Sequence, residues 1–156
     1  MYSDPRVIRF IDEHFVPVRV HARQQPDEFK RLQAKFAAQW TPTILLIDGT
    51  GEEWHRIEGF LPVDDFLAQL TLGLGHGAFG RGEFADAERW FRRGVEQYPA
   101  TEASPEALYW AGVSRYKATN DAAALRDTAE QFRKRYRETS WAKKASVWGT
   151  GGRPPA

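Results

Sequence analysis

The feature that most constrains the fold is a proline placed directly before a run of branched apolar residues. The sequence Trp-Thr-Pro-Thr at 40–43 leads into Ile-Leu-Leu-Ile at 44–47, and Gly-Thr-Gly follows at 49–51. Because proline has no N–H to donate to a sheet, it fits the beginning of a strand better than its interior. Residues 43–48 are therefore predicted to form a buried strand, and residues 52–59, which alternate after the turn, its hairpin partner.

Three helices and one further strand are predicted around this hairpin. Ser3-Asp4-Pro5 is typical of a helix start, since a capping oxygen precedes a first-turn proline. Residues 15–21 alternate with period two and predict a strand, with Pro17 favouring its edge or its beginning. Apolar residues at helical spacing predict a helix from Pro26 and another from about Val63.

After residue 75 the pattern predicts helices alone, at about 84–98, 104–118, 121–137 and 140–148. Five glycines, which weaken a single long helix, mark the predicted domain junction: Gly73, Gly75, Gly77, Gly80 and Gly82. The expected organisation is a first domain at 1–75, a helical domain at 76–148 and a disordered tail at 149–156.

Composition and motifs exclude several classes of function. Lys and Arg number 22 against 21 Asp and Glu, so the net charge offers no large attraction to nucleic acid or to an anionic membrane. The chain has no cysteine, which excludes thiol catalysis and thiolate metal sites. Its four histidines have no metal-ligand spacing, and those beside glutamates are expected on a solvated surface. We therefore predict no catalytic residue, metal or cofactor. With no apolar leader, the expected location is cytoplasmic, unless a leader is lost.

Residues 2–74, with the Thr-Pro-Thr at 41–43 and the Ser-Asp-Pro at 3–5, resemble the second part of a thioredoxin-like domain. In that family the proline is cis and faces a redox Cys-x-x-C, which this sequence lacks. The resemblance implies that a strand is missing between residues 16–21 and 43–48. An open sheet leaves backbone groups unpaired, so we expect closure by the flanking strands, by a rearrangement, or by a second chain in a homodimer.

Leu74-Gly75, Ala87, Phe91, Gly94 and Pro99 resemble the spacing of a tetratricopeptide repeat, a 34-residue helical hairpin. A weaker copy begins at Ser104-Pro105 and has Thr128 where the repeat has phenylalanine. The predicted fold class is thus α/β plus α: a truncated thioredoxin-like domain of about three strands with flanking helices, followed by an all-α domain of tetratricopeptide-like hairpins.

Three classes of function stay open. The first is a non-catalytic adaptor that binds a protein or peptide. The resemblance implies that the backbone of Thr41, before Pro42, pairs with an extended segment, and residue types that dominate binding energy complete the predicted peptide-binding set: Trp40, Tyr109, Arg115 and Tyr116. The second is an enzyme, either a thiol-disulfide oxidoreductase without its Cys-x-x-C segment or a glutathione-transferase-like protein. The third is a product whose true start lies upstream.

Overall fold

The computed structural model describes residues 1–150, which form seven α-helices, one two-stranded sheet and a terminal 3₁₀ turn. The first part contains α1 (Pro5–His14), α2 (Pro26–Phe36), β1 (Thr43–Ile47) and β2 (Glu53–Glu58). The remainder is helical, in this order: α3 (Val63–Gly80), α4 (Phe84–Gln97), α5 (Ala103–Thr119), α6 (Ala123–Lys134), α7 (Ser140–Ala145) and the 3₁₀ turn (Ser146–Thr150).

Local polar contacts set the boundaries of the first elements. The Asp4 side chain caps α1 by accepting from the Arg6 N–H at 2.9 Å, and Pro5 occupies the first turn. At the hairpin, the Asp48 carboxylate accepts from the backbone N–H groups of Thr50 and Glu52, and Gly51 has a φ of 86°. This turn joins β1 and β2 as the antiparallel pair that the sequence predicts.

The predicted strand at 15–21 is wrong. This segment has no regular structure, and Val16 and Val18 are 91% and 84% exposed. The sheet within residues 1–150 consists of β1 and β2 alone, so the prediction of about three strands is also wrong. Period-two alternation forms a strand only where a neighbour supplies hydrogen bonds and an apolar face, and this segment pairs with no strand among the described residues.

The prediction that the glycines weaken a long helix is also wrong, because α3 runs unbroken from Val63 to Gly80. Three of its glycines lie where a Cβ would meet a side chain of another element: Gly73 against Leu46 and His55, Gly75 against Phe91, and Gly80 against Trp54. The helix propensity lost at these positions is offset by close packing on both sides of the helix. The predicted boundary at 75/76 consequently falls inside α3.

Two hydrophobic clusters share α3. One contains Val7 and Phe10 of α1, Leu46 and Ile57 of the hairpin, and Phe66, Leu67 and Leu70 of α3. The other joins Ala68, Leu72 and Ala78 of α3 to the buried residues of α4 to α7, with Phe91 and Leu108 among the most deeply buried. Since α3 contributes side chains to both clusters, the helix connects the hairpin to the helical array.

The helices after α3 agree with the sequence prediction to within a few residues at each end, except that the last predicted helix changes to a 3₁₀ turn at Ser146. α4 packs against both α3 and α5, and α6 packs against α5. Of the predicted disordered tail at 149–156, the first two residues belong to the 3₁₀ turn and residues 151–156 lie outside the described range. No helix within residues 1–150 is long and apolar enough to cross a membrane.

Candidate functional site at the open edge of the hairpin

The loop before β1 is fixed to the end of β2 by backbone contacts. The Thr41–Pro42 peptide bond is cis, the isomer that the resemblance implies. The Gly59 N–H donates to the Pro42 carbonyl at 2.8 Å, and the Thr43 hydroxyl donates to the Trp40 carbonyl at 2.6 Å. These contacts hold the loop at one end of the hairpin, which we call the Pro42 end and define as residues 40–42, 59 and 60.

One edge of β1 has no partner strand within residues 1–150. The bonds at Pro42 and at Asp48, whose N–H donates to Glu52 at 3.0 Å, show that even-numbered residues of this strand face β2. Antiparallel pairing alternates, so the N–H and C=O groups of Thr43, Leu45 and Ile47 face away from β2. These groups pair with no strand among the described residues.

Apolar side chains are exposed at the Pro42 end of the hairpin. Trp40 is 68% exposed and Phe60 is 72% exposed, and both lie at the Pro42 end. Tyr2 contacts Phe60 edge-on, with 6.3 Å between the ring centroids. Thr41 is exposed and Pro42 is half-buried. The Pro42 end therefore presents aromatic surface to solvent.

β1 also lacks the features with which natural proteins protect a strand edge. Its sequence, Thr-Ile-Leu-Leu-Ile, carries no charge, and the proline precedes it. Exposed edges usually carry lysine, an internal proline or a strong bulge that discourages pairing with other chains. The register shift in this hairpin lies between Leu46 and Ile47, at the far end from Pro42. The first half of β1 is therefore unprotected.

The three helical residues of the predicted peptide-binding set are engaged within the helical array. Tyr109 stacks on Trp148 with 4.7 Å between centroids and also contacts Trp141. The Arg115 guanidinium lies 3.4 Å from the Asp127 carboxylate, and Tyr116 packs against the helical cluster. Burial raises the pKa of the Tyr109 phenol. Their role in peptide binding stays a prediction.

Among the described residues, no ring contact, hydrogen bond or ion pair joins Trp40, Thr41 or Pro42 to the helical three. The predicted set joins both groups because it rests on residue type, which gives no information about position in the fold. Phe60 and Tyr2 are absent from that set. A signal for Phe60 was present, since it follows Gly59 at the end of β2, and the end of one hairpin strand lies beside the start of the other.

The histidines differ from the solvated surface that the sequence predicts. His55 packs against α3, where its ring Nε2 lies 2.7 Å from Gln69 Oε1, and it stacks on His76 with 5.9 Å between centroids. Nε2 of His76 lies 3.0 Å from Glu106 Oε1. Burial lowers the pKa of His55, against the hydrogen bond to Gln69, which favours the protonated form. The His55 and His76 imidazoles thus lie in the contact between β2, α3 and α5.

His14, at the end of α1, contacts the helical array as well. Its ring meets Trp90 of α4 edge-on at 5.0 Å between centroids and lies 4.7 Å from Phe10. Burial lowers its pKa, and the nearby positive charge of Arg93 adds to that effect. Its Nε2 is buried and has no hydrogen-bond partner within residues 1–150. The expectation of a solvated surface is wrong here too.

No group of three or more His, Cys, Asp or Glu side chains in residues 1–150 is arranged to hold a metal ion. Residues 1–73 match the model of a family described as a thioredoxin-like domain. The match covers the segment that the sequence resemblance identifies and supports a relationship of this part of the chain to the thioredoxin family. No curated protein and no solved structure gave a significant match.

Proposed function

We propose that the protein is a non-catalytic adaptor whose thioredoxin-like part binds an extended peptide segment along the open edge of β1. The observation that carries the proposal is the row of outward-facing backbone groups at Thr43 and Leu45 beside the exposed Trp40 and Phe60. In binding by strand addition, backbone hydrogen bonds supply affinity and flanking side chains supply specificity. At the Pro42 end, unpaired backbone groups and exposed aromatic side chains lie in one region of the hairpin.

The absence of cysteine supports a binding role without chemistry. A disulfide exchange needs an attacking thiolate, and this sequence contains no cysteine. Pairing between backbones needs no thiol, so the edge keeps this capacity without a redox motif. We therefore expect the chain on its own to give no turnover in an insulin-reduction assay.

The environment of the edge indicates the kind of segment that binds. β1 is uncharged, and Trp40 and Phe60 at the Pro42 end are exposed aromatic side chains. The charged Arg56 and Glu58 lie on β2, across β1 from the open edge. A segment of four to six residues with branched or aromatic side chains fits both the strand length and the aromatic surface. We commit to an apolar peptide of this kind from another protein as the occupant.

The proposal is tested by selecting peptides from a displayed random library and measuring their affinity by fluorescence anisotropy. The selected peptides should be apolar and extended, and Trp40→Ala should weaken binding by about tenfold or more, as expected for loss of an aromatic anchor. The matched control is Arg133→Ala, which removes an exposed ion pair with Glu130 on the helical array and should leave the affinity unchanged.

N-methylation of the peptide isolates the backbone contribution. A methyl group on alternate residues in one frame removes the N–H groups that face β1, and in the other frame it removes those that face solvent. Affinity should fall by about tenfold or more in one frame only, because each backbone hydrogen bond contributes about 0.5–1.5 kcal/mol. Equal effects in both frames would contradict strand addition.

A second copy of the chain is the competing occupant. Sedimentation analysis over a wide concentration range, with and without the selected peptide, separates the two. A monomer that binds peptide supports the adaptor. A dimer that the peptide cannot dissociate, and that Trp40→Ala does disrupt, would assign the edge to self-association instead.

A further inference from the structure

We propose that α1 and β2 are held on helices α3 and α4 by an acid-labile latch, in which His14 and His55 are the two titrating contacts beside the apolar contacts of Val7, Phe10 and Ile57. The proposal is independent of peptide binding. Each imidazole belongs to the first part of the chain and lies against a helix of the array: His14 against α4, and His55 against α3. We call the contact of α1 and β2 with helices α3 and α4 the seam. Protonating both rings should therefore weaken this one seam.

The His55 side chain is packed closely against α3. A Cβ at Gly73 would lie 3.0 Å from the His55 Cβ, so the ring is pressed onto the backbone of α3. The stacked partner, His76, itself lies against Phe91 and Trp110, both of the helical cluster. A positive charge on His55 would be placed beside the His76 imidazole at a largely covered position, where it loses part of the hydration that it has in water.

The His14 contact is apolar on two sides. Phe10 and Trp90 flank the ring, and the Arg93 guanidinium lies over both of those aromatic rings at 5.6 Å and 5.3 Å from their centroids. A proton on His14 would thus meet an existing cation across the seam. Glu13 Oε2 lies 3.9 Å from His14 Nε2, too far for a hydrogen bond.

The charges that face the two rings do not remove the free-energy cost of protonating them in the folded protein. His55 faces Glu53 on its own strand, Gln69 and His76 on α3, and Glu106 on α5. The carboxylates and the Gln69 amide favour the protonated form, while burial and His76 oppose it. At His14, Glu13 favours the proton, while burial and Arg93 oppose it. The pKa of each imidazole is lowered in the folded protein.

The sign of the pH effect follows from linkage. A histidine whose pKa is lowered by folding binds fewer protons in the folded state than when it is released. The stability that it contributes is fully present above the ordinary imidazole pKa of about 6.5 and is lost as the pH falls through the folded value. The seam should therefore be closed at pH 7.5 and should open more often at pH 5.

Hydrogen exchange measured on the full chain at pH 7.5 and pH 5.0, corrected for intrinsic rates, tests the latch. Amide protection in α1 and β2 should fall at pH 5.0 relative to pH 7.5, because the two histidines bind protons more readily once the contact opens. Protection in α4 and α5 should change much less. NMR titration should give His14 and His55 pKa values below that of a free imidazole.

The double variant His14→Phe and His55→Gln removes both titrating groups and should flatten the pH dependence of protection in α1 and β2. His21→Gln is the matched control, because it removes an imidazole from the loop between α1 and α2 and should leave the pH dependence unchanged. If the double variant does not fold, the wild-type titration still decides. Folded pKa values at or above 6.5, protection independent of pH, or parallel loss in every helix would each overturn the latch.

Discussion

The two parts of the molecule differ in how completely their apolar side chains are covered. Of the eight large apolar side chains that are exposed within residues 1–150, seven lie in the first 60 residues and Val147 is the other. α2 has no buried residue among those that the structure describes, whereas the helical array buries Phe91, Leu108 and Phe132. The helical array covers nearly all of its large apolar side chains, whereas the thioredoxin-like part leaves several of them exposed beside a smaller buried cluster.

The largest difference between the two parts is expected from a pair of phenylalanine-to-alanine substitutions, one in each part. Phe91→Ala should lower the free energy of unfolding by about 3–5 kcal/mol, because Phe91 is 0% exposed and its loss leaves a cavity. Phe29→Ala in α2 should cost about 1 kcal/mol, because its side chain is only half-covered. Urea denaturation followed by circular dichroism measures both. Equal costs would show that α2 is as tightly packed as the array.

An intermediate effect is expected from the glycines of α3, where the two parts meet. Gly80→Ala should destabilise the protein by about 1–3 kcal/mol, because the new Cβ would collide with the Trp54 ring. Gly77→Ala is the control, since its Cβ would lie 3.8 Å from Trp54 and 3.3 Å from the mobile end of Arg81. Helix propensity should make that change stabilising by about 1 kcal/mol.

A thermal melt of both glycine variants measures the difference, and the double variant Gly80→Ala with Trp54→Ala should be less destabilised than the sum of the two single changes. Two glycine variants of equal stability would mean that Trp54 does not lie on α3.

The smallest effect on stability is expected at the Pro42 end. Trp40→Ala should change the free energy of unfolding by less than about 0.5 kcal/mol, because most of the side chain is already in water. The same substitution should weaken peptide binding strongly, so the ratio of the two effects identifies a binding residue. A large loss of stability would instead place Trp40 in a core and remove the main anchor of the proposed site.

The sequence predicts the elements whose signals are local. Ser3-Asp4-Pro5 marks the start of α1, and the apolar spacing after residue 83 predicts α4 to α7. The hairpin follows from the uncharged run at 44–47 and the turn after it. These predictions succeed because capping, helical periodicity and turn chemistry act within a few residues of each other. The tetratricopeptide-like arrangement of the helices stays a prediction.

The failures all concern interactions between distant residues. The alternation at 15–21 gives no information about whether a neighbouring strand exists. The glycines of α3 weaken a helix by local propensity, and only the positions of Leu46, Trp54 and Phe91 explain why the helix persists. The histidines at the seam were expected in solvent because their sequence neighbours are charged, whereas the elements that cover them come from elsewhere in the chain.

The continuity of α3 has a practical consequence for dissecting this protein. A cut at 75/76, where the glycines suggest a linker, would divide one helix and strip Leu72 from the array that it helps to close. A helical fragment meant to fold alone should begin before Val63, and its α3 would then expose the glycine stripe that Leu46, His55 and Trp54 normally cover. Such a fragment should need solubilising substitutions along that stripe.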